Sequence, residues 1–253
     1  MSRKILITGN KGFIGSHLQK KLSKNNEVVG IDLEAGWDRD KLNNNQNLLD
    51  CDLPSGVELV IHLAGKSGVR ESIKDPNAYW QNNVEVSKRI FKRYKNVRVL
   101  YASSSTAYEP YLNPYAASKY MIELAAQNYF NTLGMRFHTV YSEDCQRKNM
   151  FITRLLQNKL EYVTDHYRDF IHVDDVCNAI ELLMDSKTTG VVDIGTGESY
   201  HIQKFSPHLP LDLNTPHERK ISQANTEILS NLGWKPTINL KNFLTSKGFD
   251  IKL

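Results

Sequence analysis

Cysteine is scarce in this sequence, with three in 253 residues. Cys51, Cys145 and Cys177 form no C-x-x-C pair, which argues against both a disulfide framework and a zinc site. A reducing, cytoplasmic location is therefore expected. The histidines are scattered without metal-ligand spacing, so no metal site is predicted.

Long apolar runs are also missing. No stretch approaches the roughly 18 consecutive apolar residues that a membrane helix requires. Residues 1–4 lead directly into the apolar segment 5–7, which leaves no room for the hydrophobic centre of a signal peptide. Neither secretion nor a membrane partner is expected.

Charge of one sign is not in large excess. The 32 basic and 28 acidic residues give a net charge of +4, which suits an anionic small molecule and does not require nucleic acid. The densest basic stretch, residues 88–98, falls at the expected end of a helix. Two interpretations stay open for it, a solvated helix face and a phosphate-binding patch.

What the sequence does contain is an alternation of short apolar runs and amphipathic stretches. This rhythm predicts β-α-β units and an α/β fold with a parallel sheet. The main predicted strands are 5–7, 28–31, 59–63, 97–103, 134–141 and 168–173, and the main predicted helices are 13–22, 76–94, 114–130, 150–160 and 174–184. Residues 33–53 are polar and rich in asparagine, which predicts a shortened crossover.

A glycine-rich turn follows the first predicted strand. Gly9, Gly12 and Gly15 have the spacing G-x-x-G-x-x-G between a strand and a helix, as needed for close approach of a pyrophosphate to a helix N-terminus. Asp32 follows the second strand, where a carboxylate can bind both ribose hydroxyls and would repel a 2'-phosphate. The pattern favours NAD over NADP; a purely structural glycine turn is the alternative.

A second set of residues suits proton transfer. Tyr115 and Lys119 are four residues apart in a predicted helix, so their side chains share one face. A nearby ammonium group favours the phenolate form of tyrosine, as a general base requires. Ser104, after the strand 97–103, can share the proton of the reacting oxygen. A solvated helix face and a serine-rich turn are the respective alternatives.

Together these motifs resemble the extended short-chain dehydrogenase/reductase superfamily, the NAD-dependent sugar-nucleotide epimerases and dehydratases. The resemblance runs nearly end to end. Its motifs are T-G-N-K-G-F-I-G-S-H-L, V-I-H-L-A-G-K-S-G-V-R-E-S, S-S-S-T-A-Y, Y-A-A-S-K, R-F-H-T-V-Y, R-D-F-I-H-V-D-D-V, D-I-G-T-G-E-S and L-G-W-K-P.

The resemblance implies a Rossmann-type doubly wound parallel sheet with a small C-terminal substrate-binding lobe. The implied division is an NAD-binding domain of residues 1–141 with a return segment 169–184, and a lobe of residues 142–168 and 185–253. It also implies a homodimer through the helices at 76–94 and 114–130.

The resemblance assigns roles to individual residues. It implies Tyr115 as the base, Ser104 as its hydroxyl partner and Lys119 as the cation that orients the cofactor. The expected NAD-binding residues are Gly9, Gly12, Phe13, Ile14, Gly15, Asp32, Asp52, Leu53, Leu63, Ala64, Gly65, Asn83 and Lys119. The expected substrate-binding residues are Ser105, Thr106, Thr139, Arg147, Arg168 and Arg219.

The positions after Ser104 indicate the type of reaction. Dehydratases of this family resemble T-D-E-V-Y there, and decarboxylating members resemble T-S-E-V-Y, whereas this chain has Ser105 and Thr106. Without a carboxylate for elimination, removal and return of a hydride is favoured, which is 4-epimerisation.

The segments R-F-H-T-V-Y and Q-R-K-N-M are most similar to those of UDP-glucuronate 4-epimerases, where Thr139 and Arg147 would bind the sugar carboxylate. Arg147 as a solvated loop residue is the alternative. The chain departs from the pattern at Ser142, Glu143 and Glu109 and is shorter than usual members. A dehydratase or reductase of the same superfamily, and a non-catalytic dinucleotide sensor, stay open as other functions.

Overall fold

A computed structural model describes residues 2–33, 47–145 and 150–249 of the protein. The chain divides into two compact units, Met1–Arg136 with Leu183–Val192 and Phe137–Leu182 with Asp193–Leu253. None of the helices in these described ranges has the length and apolar character needed to span a membrane.

Each main predicted strand and helix has a counterpart in the structure, which also contains elements that the sequence pattern did not predict. The strands are β1 Lys4–Thr8, β2 Glu27–Ile31, β3 Leu59–His62, β4 Arg98–Ser104, β5 Thr132–Phe137, β6 Thr139–Tyr141, β7 Val163–Thr164, β8 Tyr167–His172, β9 Gly190–Ile194, β10 Ser199–His201 and β11 Leu211–Asp212. The α-helices are α1 Phe13–Leu22, α2 Val69–Lys74, α3 Pro76–Tyr79, α4 Val86–Arg93, α5 Pro114–Ala126, α6 Phe151–Leu156, α7 Val173–Asp185, α8 Glu227–Asn231 and α9 Leu240–Ser246.

The first unit is built on a six-stranded sheet in the order β2-β1-β3-β4-β5-β9. β1 pairs in parallel with β2 and β3, and β3 pairs in parallel with β4. Because the chain runs outward from β1 in both directions, the sheet has its topological switch point there, where α/β folds bind ligands. The predicted Rossmann-type α/β fold is confirmed.

The helices start where the sequence provides caps. The Asn113 side chain accepts a hydrogen bond from the Ala116 amide, and Pro114 occupies the first turn of α5. The predicted helix 76–94 is interrupted, because Trp80–Glu85 between α3 and α4 is π-helical. Such a segment adds a residue to one turn and changes the direction of the side chains in it.

The second unit has its own small sheets and its own core. β8 pairs in parallel with β6 and antiparallel with β10, and β7 pairs with β11. Its core contains Tyr141, Ile152, Leu155, Val163, Phe170, Ile202, Phe205, Leu240 and Leu244. The predicted strand 134–141 is two strands, since β6 pairs with β8 rather than continuing β5.

The predicted domain division stays a prediction. The compact units place residues 137–141 and 169–182 with the second unit. Of the predicted crossover 33–53, residues 34–46 lie outside the described residues, and residues 47–50 form a turn.

Candidate active site

The glycine-rich turn lies between β1 and α1. Gly9 has a φ of +74°, and a Cβ there would lie 2.6 Å from the Ala64 amide nitrogen. A Cβ on Gly15 would lie 2.0 Å from the Gly9 carbonyl oxygen. Gly12 caps α1 without a side-chain hydrogen bond, so the first-turn amides at Phe13 and Ile14 receive no cap from it. An anion is bound well by such a helix N-terminus.

Asp32 directly follows β2 at the same edge of the sheet. Its Oδ2 accepts a hydrogen bond of 2.9 Å from the Lys11 amide, so the carboxylate is tied to the glycine-rich turn. The ribose contact of Asp32 stays a prediction. Of the other predicted cofactor residues, Leu63, Ala64 and Gly65 directly follow β3. Asp52 and Leu53 follow a turn, and the Leu48 and Cys51 carbonyls of that region accept hydrogen bonds from Arg89.

Ser104 ends β4 and caps the short 3₁₀ helix Ser105–Tyr108. Its Oγ accepts hydrogen bonds from the Thr106 amide at 3.2 Å and from the Thr106 hydroxyl at 3.0 Å. A hydroxyl oxygen has two acceptor positions and one donor hydrogen. With both acceptor positions used by Thr106, Ser104 is directed to donate its hydrogen to another oxygen.

Lys119 lies one helical turn after Tyr115 on α5, and its ammonium group is buried. The Nζ atom donates a hydrogen bond of 2.8 Å to the Ala102 carbonyl, two residues before Ser104. Burial lowers the pKa of Lys119 from 10.5 to about 8, an effect that Glu123 opposes. The shared face of Tyr115 and Lys119 is thereby fixed at the carboxyl end of β4.

Two buried side chains hold the segment after β3. Tyr79 packs edge-on against the Tyr115 ring at a centroid distance of 6.0 Å and donates to the Ser67 carbonyl. Asn83, within the π-helical segment, accepts from the Lys66 amide and donates to the Lys66 carbonyl and to Ser118 Oγ. The predicted cofactor residue Asn83 thus links the segment after β3 to α5.

A directional chain of hydrogen bonds begins at the end of β1. Ala64 N–H donates to Thr8 Oγ1, which lies 2.6 Å from His62 Nδ1. His62 Nε2 lies 3.0 Å from Ser87 Oγ, and this hydroxyl donates to the Asn83 carbonyl. Burial first and the Lys119 charge second lower the pKa of His62 to about 3, so the imidazole is neutral at physiological pH.

The predicted substrate residues Thr139, Arg168 and Arg219 belong to the second unit. Thr139 begins β6 and is paired in register with Phe170 on β8. Arg168 donates to the Arg219 carbonyl at 2.8 Å, so these two predicted residues are brought together, and burial lowers the pKa of Arg168 to about 10. Arg147 lies outside the described residues.

Sequence reasoning missed one buried charged pair. Glu123 is 5% exposed and accepts two hydrogen bonds from Arg136, from Nε at 2.8 Å and from a terminal nitrogen at 2.6 Å. Glu123 also accepts from Ser103 at 2.5 Å. The available signal was helical spacing, since Tyr115, Lys119 and Glu123 are four residues apart in turn.

The first unit fits a dinucleotide. Glycines at Gly9 and Gly15 allow backbone approaches that any side chain would block, α1 offers its N-terminal amides, and Asp32 stands at the end of β2. In the described part of the chain, no group of three or more His, Cys, Asp or Glu side chains is placed to hold a metal ion.

Comparison with known proteins agrees with this geometry. The sequence profile of the NAD dependent epimerase/dehydratase family matches residues 5–195. A UDP-glucose 4-epimerase from Yersinia enterocolitica is 28% identical, over 91% of this chain and 92% of the relative. The solved structure of a UDP-glucuronic acid 4-epimerase from Bacillus cereus, with UDP-glucuronic acid and NAD, is 28% identical with a TM-score of 0.81, covering 96% of this chain and 97% of that one.

Likeness of fold extends to another reaction. A dTDP-glucose 4,6-dehydratase from Streptomyces venezuelae, with NAD bound, has a TM-score of 0.83 at 22% identity, covering 96% of this chain and 95% of that one. At that identity the likeness concerns the fold alone, so the choice between epimerisation and dehydration depends on individual residues.

Proposed function

The chain belongs to the NAD-dependent epimerase/dehydratase family, and we propose that it is a 4-epimerase of a UDP-linked hexose or hexuronic acid such as UDP-glucuronate. The family is NAD-dependent, and similar structures contain NAD. Gly9, Gly15 and Asp32 would hold NAD, which when bound would supply a hydride acceptor and then a hydride donor for C4 of the sugar, with no net redox change.

The observation that carries the proposal is the attachment of Lys119 to β4. Its buried Nζ atom donates to the Ala102 carbonyl, two residues before Ser104 at the end of the strand, which supports a common site for Tyr115, Lys119 and Ser104. A charged Lys119 favours the phenolate of Tyr115, which then takes the proton from the 4-hydroxyl. Ser104, whose oxygen accepts twice from Thr106, donates to the same substrate oxygen and stabilises the negative charge that develops there.

Epimerisation is favoured over dehydration by the residues after Ser104. The 3₁₀ helix Ser105–Tyr108 contains no carboxylate that could act as acid or base in elimination. Tyr115, Lys119 and Ser104 thus transfer one proton at the 4-oxygen, and this transfer suffices for oxidation and reduction at C4.

UDP-glucuronate is proposed as the substrate because of the residues that would bind a sugar carboxylate. Thr139, which offers a hydroxyl at the start of β6, is proposed as one such residue, and Ser105 and Thr106 after β4 are proposed as further substrate contacts. Arg147 is proposed as the cation for that carboxylate and Arg168 with Arg219 as contacts of the diphosphate. The B. cereus epimerase is the similar protein that supports this choice.

We propose a homodimer and a cytoplasmic location as well. Tyr120 and Leu124 are exposed on α5, as is Trp80 next to α3, which gives these helices apolar surface for a partner. Cys51, Cys145 and Cys177 are thiols that form no disulfide, which suits a reducing compartment. Light scattering of the purified chain, compared with a Leu124→Glu variant, tests the dimer: a monomeric wild type contradicts it.

Incubation of the purified protein with UDP-glucuronate, UDP-glucose and UDP-N-acetylglucosamine tests the reaction, with separation of the C4 epimers. We expect interconversion without accumulation of NADH. A deoxy or reduced sugar as the product would identify the chain as a dehydratase or reductase. Unchanged turnover in Tyr115→Phe would contradict the assignment of the base.

A further inference from the structure

Glu123 is a buried carboxylate on the same face of α5 as the proposed catalytic pair. Tyr115, Lys119 and Glu123 follow one another at intervals of four residues, and the carboxylate accepts from Arg136 and Ser103 within the first unit. A buried charge is retained only when it is paired and hydrogen-bonded. Glu123 meets this requirement through three hydrogen bonds.

Successive turns of α5 are attached to successive residues of β4. Lys119 donates to the Ala102 carbonyl, and one turn later Glu123 accepts from the Ser103 hydroxyl. The next residue of the strand is Ser104. The two attachments therefore fix the register between α5 and the end of β4, and with it the position of Lys119 along the strand relative to Ser104.

Arg136 connects this attachment to the segment after β4. Its guanidinium group binds both oxygens of Glu123 and lies 4.1 Å from the centre of the Tyr108 ring. Tyr108 is the last residue of the 3₁₀ helix that Ser104 caps. Glu123 and Arg136 thus hold the helix, the strand end and the segment with Ser105 and Thr106 in one arrangement.

The charges around Lys119 come from several elements. His62 at the end of β3 is neutral, and Tyr115 is on the same helical face. Glu123 is the carboxylate of this set, and Arg136 on β5 forms an ion pair with it. Burial alone would favour the neutral amine of Lys119, and the Glu123 carboxylate opposes it.

We propose that Glu123, held by Arg136 and Ser103, is a positioning residue that keeps Lys119 in its ammonium form and in register with Ser104. This inference rests on the proposed epimerase function. Glu123 acts through Lys119, because its oxygens are occupied by Arg136 and Ser103.

Direct titration of Lys119 tests the inference without any turnover. The chain is prepared with ¹³C at the lysine Cε positions and without NAD, and the Lys119 signal is identified by its loss in Lys119→Arg. We expect Glu123→Gln to lower the titration midpoint of Lys119 by roughly one pH unit relative to the wild type. Glu27→Gln, which removes an exposed carboxylate paired with Lys4, is the control and should leave the midpoint unchanged.

Arg136→Lys separates charge from packing. This variant retains the Glu123 carboxylate but loses the paired hydrogen bonds that the Arg136 guanidinium group donates to it. We therefore expect a lower melting temperature and an unchanged titration midpoint of Lys119. If Glu123→Gln does not fold, Glu123→Asp is titrated instead, and we expect a smaller shift in the same direction. An epimerase assay then adds a pH profile of kcat whose alkaline limb moves to lower pH in the Glu123 variant, with KM unchanged.

Two results would overturn the inference: an unaltered Lys119 midpoint in the Glu123 variant, or an equal fall in Arg136→Lys. Because the titration needs no substrate, a chain that lacks epimerase activity but shows the shift refutes the proposed function alone.

Discussion

Replacement of Gly15 by alanine tests whether the glycine-rich turn is built for a dinucleotide. Gly15 lies in the first turn of α1, where alanine alone would favour the helix by about 1 kcal/mol. The added Cβ would lie 2.0 Å from the Gly9 carbonyl oxygen and 2.9 Å from Asn10 Cα, and neither backbone atom can move without moving the turn. Overpacking of this kind costs about 1–3 kcal/mol, which exceeds the helix preference.

We therefore expect Gly15→Ala to be less stable than the wild type and to bind NAD at least about 10-fold more weakly, where a factor of ten corresponds to about 1.4 kcal/mol. Chemical denaturation and calorimetric titration with NAD measure both effects. Gly56→Ala is the control: Gly56 has a φ of +68° and open space around its Cβ position, so this variant should lose about 1 kcal/mol of stability and bind NAD normally. A Gly15→Ala protein that is more stable than the wild type and binds NAD as tightly would contradict both expectations.

Three further predictions concern single side chains. Folding lowers the pKa of Lys119 from its ordinary value of 10.5 to about 8, so between these two pH values the unfolded chain binds more protons than the folded chain. The free energy of unfolding should therefore rise by about 3 kcal/mol from pH 8 to 10.5, and denaturation curves of Lys119→Met should lack this rise. Thr106→Val removes the hydroxyl that donates to Ser104 and should lower kcat about 10-fold, whereas Thr106→Ser keeps this hydroxyl and should keep the wild-type kcat. Equal kcat values of the two variants would argue against orientation of Ser104 by Thr106. Asp169→Asn disturbs a fully buried carboxylate that accepts from three amides and one hydroxyl, so urea denaturation should show a loss of about 3 kcal/mol, and an unchanged midpoint would contradict this.

The sequence predicted the fold because its elements have strong local signals. The apolar run 5–7, the glycine spacing from Gly9 to Gly15 and the proline that starts α5 each depend on neighbouring residues only. The π-helical segment around Asn83 was not predicted, since its pattern of apolar residues continues that of the flanking helices. The break between β5 and β6 depends on the pairing of β6 with β8, which no local pattern reveals.

The site was predicted only where a local sequence signal exists, and the contacts between distant residues were not predicted. Lys119 was found from its distance to Tyr115, but its contact with the Ala102 carbonyl depends on how α5 packs against β4. The pairing of Glu123 with Arg136 joins residues on a helix and on the next strand, and isolated charges in a sequence are usually solvated. Thr106 was assigned to the substrate, and the structure adds its bonds to Ser104.

The proposed reaction removes a hydride from C4 and returns it there, while Tyr115 takes and gives back the proton of the 4-oxygen. Incubation with UDP-glucuronate deuterated at C4, followed by mass analysis of the separated 4-epimer, tests this most directly. We predict that the epimer retains the deuterium at C4 and that Tyr115→Phe forms almost none of it. Loss of the deuterium to solvent during epimerisation would contradict the account.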